Sequence, residues 1–571
     1  MVRKLLIACA GAAVLAAPAG AQPAATVLMP GVTFHRDVQF TLHGPVVVNV
    51  IEGPKPTGLY ALEPLLPGGG VRGRERVTSM EQRLSSTATV AGVNGDLFGS
   101  SGRPEGLFLD GGVVKTPPKH SRSSLAISTK GKLSVERIPF VGDWRGTGPR
   151  RALSTLNDAP GKNGTALVTP AWGTTTPSSP DAVEAVLPSL PTVTANTALT
   201  GTVSQVLHGG NHPVPPGGAV LMARGNAATR LTAEAPAGAQ VTLHVILPGP
   251  FATAVAGIGG GPLLVRNGKA VFRAKEAFPS SWLVPRGPRT AVGQRADGRI
   301  LFVAVDGGRP GYSAGMTNFE LARELVSLGA VTAMGLDSGL STTMAFDGEL
   351  LNRPARKERP IGDALTLQYL GVQAPAPSAD VLSPNGDAAD EVENLAYKVV
   401  RPSTVSAVLL GPGGTKVTLD AGKRDPGSYR FIWSGLDAAG KLLPEGQWDW
   451  KVTAVDDLGR SSGAERQFLL DTTLKGLTLQ PATLRRGSSL TVGVDLLHPA
   501  KVKVTVETRA GVVLRTFGKR SAGTGHLELT WKGKLAGGRR MPPGSYVVRV
   551  AAANQLGTAE LTAGLRMARR R

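Results

Sequence analysis

Two carboxylates, each at the end of an apolar run and followed by a turn rich in Gly, Ser or Thr, offer the clearest chemistry in the sequence. Ile300-Leu301-Phe302-Val303-Ala304-Val305 is continuous, apolar and rich in β-branched residues, and it ends in Asp306-Gly307-Gly308; this is the pattern of a buried strand delivering a carboxylate to a sheet edge. Val331-Thr332-Ala333-Met334-Gly335-Leu336 repeats the pattern and ends in Asp337-Ser338-Gly339-Leu340-Ser341-Thr342-Thr343. Between them, Thr317-Asn318-Phe319-Glu320 forms a capping box, Phe319, Ala322, Leu325, Val326 and Leu328 share one helical face, and Gly329 is a stop; together these predict a helix over 317–328. If the two strands are parallel neighbours joined by this crossover, Asp306 and Asp337 emerge at one sheet edge, where α/β proteins bind ligands. A carboxylate pair there can do acid–base or nucleophilic work. Each Asp alone also fits an ordinary turn former capping backbone N–H groups, and the capping box accounts fully for Glu320.

Anion-binding groups lie nearby in sequence. Arg289, in Gly287-Pro288-Arg289-Thr290-Ala291, either lies on the surface or presents its planar fork to a phosphate. Gly257-Ile258-Gly259-Gly260-Gly261-Pro262 can offer several N–H groups to an anion. His208 and His212 flank Gly-Gly-Asn, which makes a loop rather than the helix turn that would bring both onto one metal.

The elements that must hold these groups belong to a long, turn-rich chain. The 571 residues correspond to three or four domains. Hydrophobic residues make up 41% and charged ones 18%, which is too apolar for disorder. Gly 74 and Pro 43 favour β architecture with many turns over helix bundles. Arg3 and Lys4, an apolar stretch from Leu5 to Ala17 and Ala19-Gly20-Ala21 read as a signal peptide over 1–21. The mature protein is therefore expected to be secreted or associated with the cell envelope, with no transmembrane segment. Cys9, the only cysteine, lies inside that signal, too early for a lipoprotein box, so the mature chain has no disulfide, thiolate metal site or Cys nucleophile. The net charge of +21 suits attraction to anionic envelope polymers. No basic run interleaved with aromatics accompanies it, which argues against specific nucleic-acid recognition.

Residues 22–372 read as one α+β unit with a mixed, β-rich sheet, including a β-rich segment at about 150–250. Residues 373–379, Gln373-Ala374-Pro375-Ala376-Pro377-Ser378-Ala379, read as a semi-rigid spacer. Beyond it, Pro402 to Pro499 spans 97 residues and Trp433 to Trp531 spans 98, a period of one β-sandwich. The fold class is thus multidomain, an α+β catalytic unit followed by two all-β Ig-like sandwiches at 380–472 and 473–567. Ser383-Pro384-Asn385-Gly386-Asp387, Trp433-Ser434-Gly435-Leu436-Asp437 and Gly446 resemble the Ig-like domains of flagellar hook-capping proteins. Asn385, Asp387 and Asp390 could hold Ca²⁺ through oxygen ligands or simply form a turn at a strand entry. With no aromatic platform evident, the sandwiches read as spacers.

Val93-Asn94-Gly95-Asp96-Leu97-Phe98, Pro104-Glu105-Gly106, Gly259-Gly260-Gly261-Pro262, Pro288-Arg289-Thr290-Ala291-Val292-Gly293, Val305-Asp306-Gly307, Gly315-Met316-Thr317 and Leu336-Asp337-Ser338-Gly339-Leu340-Ser341-Thr342-Thr343-Met344 occur in the order found in the phosphodiester glycosidase family, which the stretch 85–370 resembles. The chain departs from that pattern at Ser338 and Leu340, where the family usually has glycine, and at Gly308, where Arg is common. The resemblance implies hydrolysis between an anomeric carbon and a phosphate. It implies Asp306 or Asp337 as base or nucleophile, Arg289, the Gly259, Gly260 and Gly261 turn, Ser341 and Thr342 on the substrate phosphate, and Thr290 among the substrate-binding residues. It also implies Asn94 and Asp96 on sugar hydroxyls, with Asp96 counted among the catalytic carboxylates. Neither a metal nor another cofactor is implied, and the partner is a phosphorylated or anionic glycan. Two other readings use the same residues: a non-catalytic envelope protein holding an anionic polysaccharide, and a phosphodiesterase cutting the P–O bond.

Overall fold

The computed structural model describes residues 25–271, 275–485 and 487–568. Residues 1–21, read above as a signal peptide, lie outside the described residues together with Cys9. Among those described, no helix is long and apolar enough to cross a membrane.

The first unit is built on an eight-stranded sheet in the order Thr26–Met29, Val32–Thr41, Gly44–Gly53, Ile300–Val305, Arg289–Arg295, Ala330–Gly335, Leu263–Arg266, Lys269–Ala270. Every pairing in it is antiparallel. The strands that end in Asp306 and Asp337 do run parallel to each other, but they are not neighbours. Arg289–Arg295 lies between them, antiparallel to both. Both carboxylates still leave at one edge, because two strands antiparallel to a common neighbour point the same way, and Arg289 starts from that same edge.

Ile300–Val305 is buried throughout because both faces of the sheet are covered. Leu301, Val303 and Val305 face a core with Leu321, Ala322 and Leu325 of the Asn318–Ser327 helix. Ile300, Phe302 and Ala304 face the opposite core. That core is closed by a five-stranded sheet in the order Glu349–Leu350, Met344–Phe346, Thr89–Asn94, Ala364–Tyr369, Tyr60–Leu65, which contributes Ala91, Val93, Leu365 and Leu367. A third sheet, Val113–Thr116, Phe108–Asp110, Ala254–Gly259, Ser124–Ser128, Leu133–Glu136, adds Leu125, Ile127 and Ile258 to the same core. The helix starts at the capping box read from the sequence: Thr317 accepts from the Glu320 N–H, and the Glu320 side chain accepts from the Thr317 N–H.

Between Val141–Arg145 and Gln240–Ile246 the chain forms two further sheets and the Asn226–Glu234 helix, with Trp144, Leu187, Leu221 and Leu243 in their own core. After residue 380 come two sandwiches of one topology. In the first, Val381–Leu382, Ser461–Leu470, Gly446–Asp456, Ser403–Leu410 and Lys416–Arg424 form one sheet over Trp433, Trp448 and Trp450. In the second, Thr483–Leu484, Thr558–Met567, Gly544–Ala553, Ala500–Glu507 and Val513–Ala522 repeat that order over Trp531, Val548 and Val550.

The Pro/Ala stretch is not a free spacer at its start. Gln373 exchanges both backbone hydrogen bonds with Lys398, Val372 and Ala374 are buried in the first sandwich's core, and Ser378 is tied to Glu393. Small apolar residues beside an open strand edge pair with it instead of staying in water. The Lys398 ammonium then reaches Asp347 at 3.1 Å and the Ala88 carbonyl at 3.2 Å, docking this sandwich on the first unit. At the next junction the Asn385 amide donates to the Leu474 carbonyl (2.7 Å), and Asp387 accepts from the Gly476 N–H (2.7 Å). Asn385 and Asp387 are therefore engaged in joining the two sandwiches rather than grouped with Asp390 around a cation.

Candidate active site

The Thr89–Asn94 strand is buried at every position and hands its last residue to a crossing of three segments. The Asn94 side-chain oxygen accepts from the Thr290 hydroxyl (2.7 Å) and the Thr343 N–H (3.1 Å), and its amide donates to the Asp337 carbonyl (2.7 Å). The Asp337 N–H returns a bond to the Gly95 carbonyl at 2.9 Å. Asn94 and Thr290, read from the sequence as substrate contacts, are thus spent on fixing the segment that carries Asp337.

Two residues on, Asp96 is buried and accepts from the Leu97 N–H (2.7 Å) and the Gly106 N–H (2.6 Å). Its own N–H donates to Asp363 at 2.7 Å. Asp363 is completely buried, and its second carboxylate oxygen has no partner among the described residues. Burial pushes both carboxyls up, Asp96 to about 6 and Asp363 well above its ordinary value; the Asp96 charge raises Asp363 further, while Arg122 and the two N–H donors pull Asp96 down. Glycine makes this packing possible. A Cβ at Gly259 would lie 2.4 Å from an Asp96 oxygen, and one at Gly106 would lie 2.8 Å from it.

Asp337 completes a group of three carboxylates. Burial raises it, against a hydrogen bond from Ser341, the Ser338 N–H at 2.8 Å and the charges of Arg359 and Arg122; its charge also bears on Asp363. The Thr342 and Thr343 hydroxyls are buried beside it without partners among the described residues. Of the three positions that are usually glycine in the resembling family, only Gly339 has a positive φ, +67°. Ser338 is extended, and Leu340 is 45% exposed, so neither substitution strains the turn or fills the site.

Two arginines that the sequence reading passed over supply the positive charge. Arg122 is buried, donates to Glu105 at 2.6 Å and lies 5.4 Å from the Phe278 ring. Lys119 reaches the same Glu105 oxygen at 2.8 Å. Burial raises Glu105, but the Lys119 and Arg122 contacts outweigh it and hold the carboxyl below its ordinary value. Arg359 reaches the Ser341 hydroxyl at 3.5 Å and covers the Phe98 ring at 5.0 Å. Pro104-Glu105-Gly106 was visible as a motif; Arg122, Arg359 and Asp363 carried no local pattern that set them apart.

Three expectations need correction. Asp306 leaves the right edge, but its carboxylate is filled by the Tyr312 hydroxyl (2.9 Å), the Asn352 amide (2.9 Å) and the Arg353 N–H (3.1 Å). It therefore anchors the 352–353 turn. Arg289 donates from Nε to the Met316 carbonyl at 3.1 Å and from Nη2 to the Pro285 carbonyl, with Trp282 5.8 Å away; burial lowers it to about 10, and the Nε–Nη2 side of its fork is spent on the backbone. The Gly259, Gly260 and Gly261 N–H groups go to the Leu107, Ser123 and Gly335 carbonyls. The turn nevertheless borders an anion, that of Glu276, which accepts from the Ser123 N–H and hydroxyl (both 2.8 Å) and the Leu263 N–H (2.7 Å). A Cβ on Gly261 would lie 2.4 Å from that carboxylate. On its outer side Glu276 joins Phe278, Leu263 and Leu264 in lining an apolar cleft of about 600 Å³. Among the described residues no three His, Asp or Glu side chains are arranged to share a metal ion.

Carboxylates of raised pKa beside the buried Arg122 and the half-buried Arg359 suit proton transfer or nucleophilic attack next to an anionic leaving group. Residues 193–368 match the family model described as phosphodiester glycosidase, and residues 480–555 match that of the FlgD Ig-like domain. The matched span holds Asp337, Arg359 and Asp363, while Asp96, Glu105 and Arg122 precede it. Over 112 residues the chain is 37% identical to the SPbeta prophage-derived uncharacterized protein YomE of Bacillus subtilis, covering 19% of this chain and 17% of that one. A solved hypothetical protein from Synechocystis shares the fold, with a TM-score of 0.51 and 24% identity over 61% of this chain and 64% of its own. The catalytic domain of zebrafish N-acetylglucosamine-1-phosphodiester alpha-N-acetylglucosaminidase gives a TM-score of 0.30 and 15% identity over 60% of this chain and 84% of that one. This chain thus spans under two thirds of the length of both the Bacillus and the Synechocystis proteins.

Proposed function

We propose that this is an exported phosphodiester glycosidase that hydrolyses the sugar C1–O–phosphate linkage of a phospho-glycan or sugar-1-phosphodiester. The observation that carries the reading is the meeting of Asp96, Asp337 and Asp363 with Arg122 and Arg359, partly inside the span that matches the glycosidase family. Export is supported by the first 21 residues of the sequence.

A phosphate leaves readily, so the residues need chiefly to stabilise its departing charge and to handle one water. Arg122 and Arg359 bear on the phosphate. As the C1–O bond breaks, its electron pair goes to the phosphate oxygen, and Asp337 faces the cationic sugar carbon. Water then bonds to C1 and gives its proton to Asp337; where Asp337 has first formed a glycosyl ester, the attack of water breaks the C1–Oδ bond, its electron pair returns to the Asp337 carboxylate, and that carboxylate takes the proton. Burial and the Asp96 charge raise Asp363, whose side chain accepts the Asp96 N–H and so holds Asp96 in place.

The test is release of free sugar from UDP-N-acetylglucosamine and from a synthetic sugar-1-phosphodiester in ¹⁸O-water. Label in the sugar supports the reading. Label in the phosphate means P–O scission and replaces it with a phosphodiesterase, and no release from folded protein replaces it with a polymer-binding role.

A further inference from the structure

The two sandwiches share strand order but not charge. Residues 380–472 carry 10 Lys and Arg against 14 Asp and Glu, a net −4, whereas residues 473–567 carry 15 against 4, a net +11. A compositional bias of the whole chain acts on both domains alike, so it does not account for this contrast. In the first sandwich three arginines are paired internally, Arg401 with Asp457, Arg424 with Asp420 and Arg460 with Asp456. In the second, Arg549 takes both Glu507 and Glu560, and Lys501, Lys503 and Lys519 have no ion-pair partner among the described residues.

These three lysines line up. Lys501 and Lys503 alternate with buried Val502 and Val504 on the Ala500–Glu507 strand, so both stand on the outer face. Their partners on one side are Ala553 and Ala551, which leave the face flat. On the other side Ser521 faces Lys501, and a register shift between Val502 and Val504 brings exposed Lys519 opposite Lys503. The corresponding strand of the first sandwich has Thr404 and Ser406 at its two exposed positions. Side chains two apart on a strand repeat about every 6.6 Å, which suits a linear chain with regularly repeated charges.

We infer that the outer face of the second sandwich, along Lys501, Lys503 and Lys519, is a docking lane for a linear phosphate-bearing polymer. The lane offers ammonium groups and small side chains but no aromatic ring for base stacking, which favours a phosphodiester-linked glycan or polyol over single-stranded nucleic acid. This goes beyond the hydrolytic reading and does not depend on it, since binding is read without turnover.

The test uses the full mature chain and poly(glycerol phosphate) as probe, with neutral dextran as reference, in sedimentation binding across a salt series. Wild type binds poly(glycerol phosphate) and not dextran. The combined Lys501→Glu, Lys503→Glu, Lys519→Glu variant binds at least tenfold more weakly, with the slope of log affinity against log salt reduced by about 2. Lys416→Glu, Lys441→Glu, Lys451→Glu changes the net charge equally on exposed positions of the first sandwich and retains wild-type binding; unchanged melting shows that both variants fold. Equal weakening by the two triples overturns the lane. Equal wild-type affinity for duplex DNA, or for anionic lipid vesicles, overturns the assignment to a phosphate-linked polymer.

Discussion

The backbone N–H of Asp96 donates to the side chain of Asp363 at 2.7 Å, so two residues with buried carboxylates are tied together while one oxygen of Asp363 has no partner among the described residues. A fold gains nothing from such an arrangement, since ionising both groups in low dielectric is unfavourable. Replacing Asp363 by Asn removes the conflict. Asp363→Asn is expected to raise stability by ~0.5–2 kcal/mol and to lower turnover, as read from urea unfolding beside initial rates; a variant both less stable and fully active would contradict a site role for Asp363.

Asp96 also sets a pH dependence. Asp96 titrates near 6 in the fold and close to its ordinary value when unfolded, so in between the folded state binds more protons and stability falls as pH rises. Wild type should melt higher at pH 5 than at pH 7.5. Asp363→Asn should leave most of that difference in place, because burial and the Glu105 charge are what hold Asp96 up.

Asp337 is the carboxylate expected to face the sugar carbon. Asp337→Asn keeps the shape of the turn, including the Ser338 N–H bond to the side-chain oxygen. It should lower kcat by roughly 10²–10⁴-fold with melting unchanged; a rate within threefold of wild type would remove Asp337 from the chemistry.

Arg122→Ala withdraws a buried cation from Asp96, Asp337 and Glu105. A charge-assisted contact to an anion contributes about 1.5–3 kcal/mol, so KM for a phosphodiester should rise on the order of 10–100-fold. Because Arg122 lowers Asp96, its loss should also move the acid limb of the pH–rate profile to higher pH. A purely structural arginine would move neither.

Asp306→Asn should do the reverse of Asp337→Asn. Its carboxylate takes a hydroxyl, an amide and a backbone N–H, and an Asn amide directs a donor at one of them, at a cost of about 1–3 kcal/mol. Unfolding should shift to lower urea, while kcat per folded molecule stays near wild type. A collapse of kcat in folded protein would return Asp306 to the catalytic group.

Much of this was legible one strand at a time. The apolar runs before Asp306 and Asp337, the Thr317–Glu320 box and the 98-residue Trp433–Trp531 period each rest on local rules, and the structure carries the box and both runs as read. What the sequence could not express was which carboxylate is already occupied. Asp306 and Asp337 follow like strands, and Asn352, 46 residues on, is what separates them. The insertion of Arg289–Arg295 between their strands was hidden for the same reason, because pairing order is decided by partners distant in the chain. Arg122 gives no signal until Phe278 and Glu105 close around it. The glycine turn was read as an anion holder and does border one, but that anion is the chain's own Glu276.

Because Gln373 is zipped to Lys398, and Lys398 is clamped to Asp347 and Ala88, the C-terminal third is not a slack tether. Asn385 and Asp387 extend the same stiffness to the second sandwich. A pull exerted there travels through hydrogen-bonded joints to the Thr89–Asn94 strand, next to Ala88 and directly ahead of Asp96. The tail is seated on the sheet whose strands lead into Asp96 and out of Asp363, and its separation from them is fixed by joints rather than by the statistics of a loose chain.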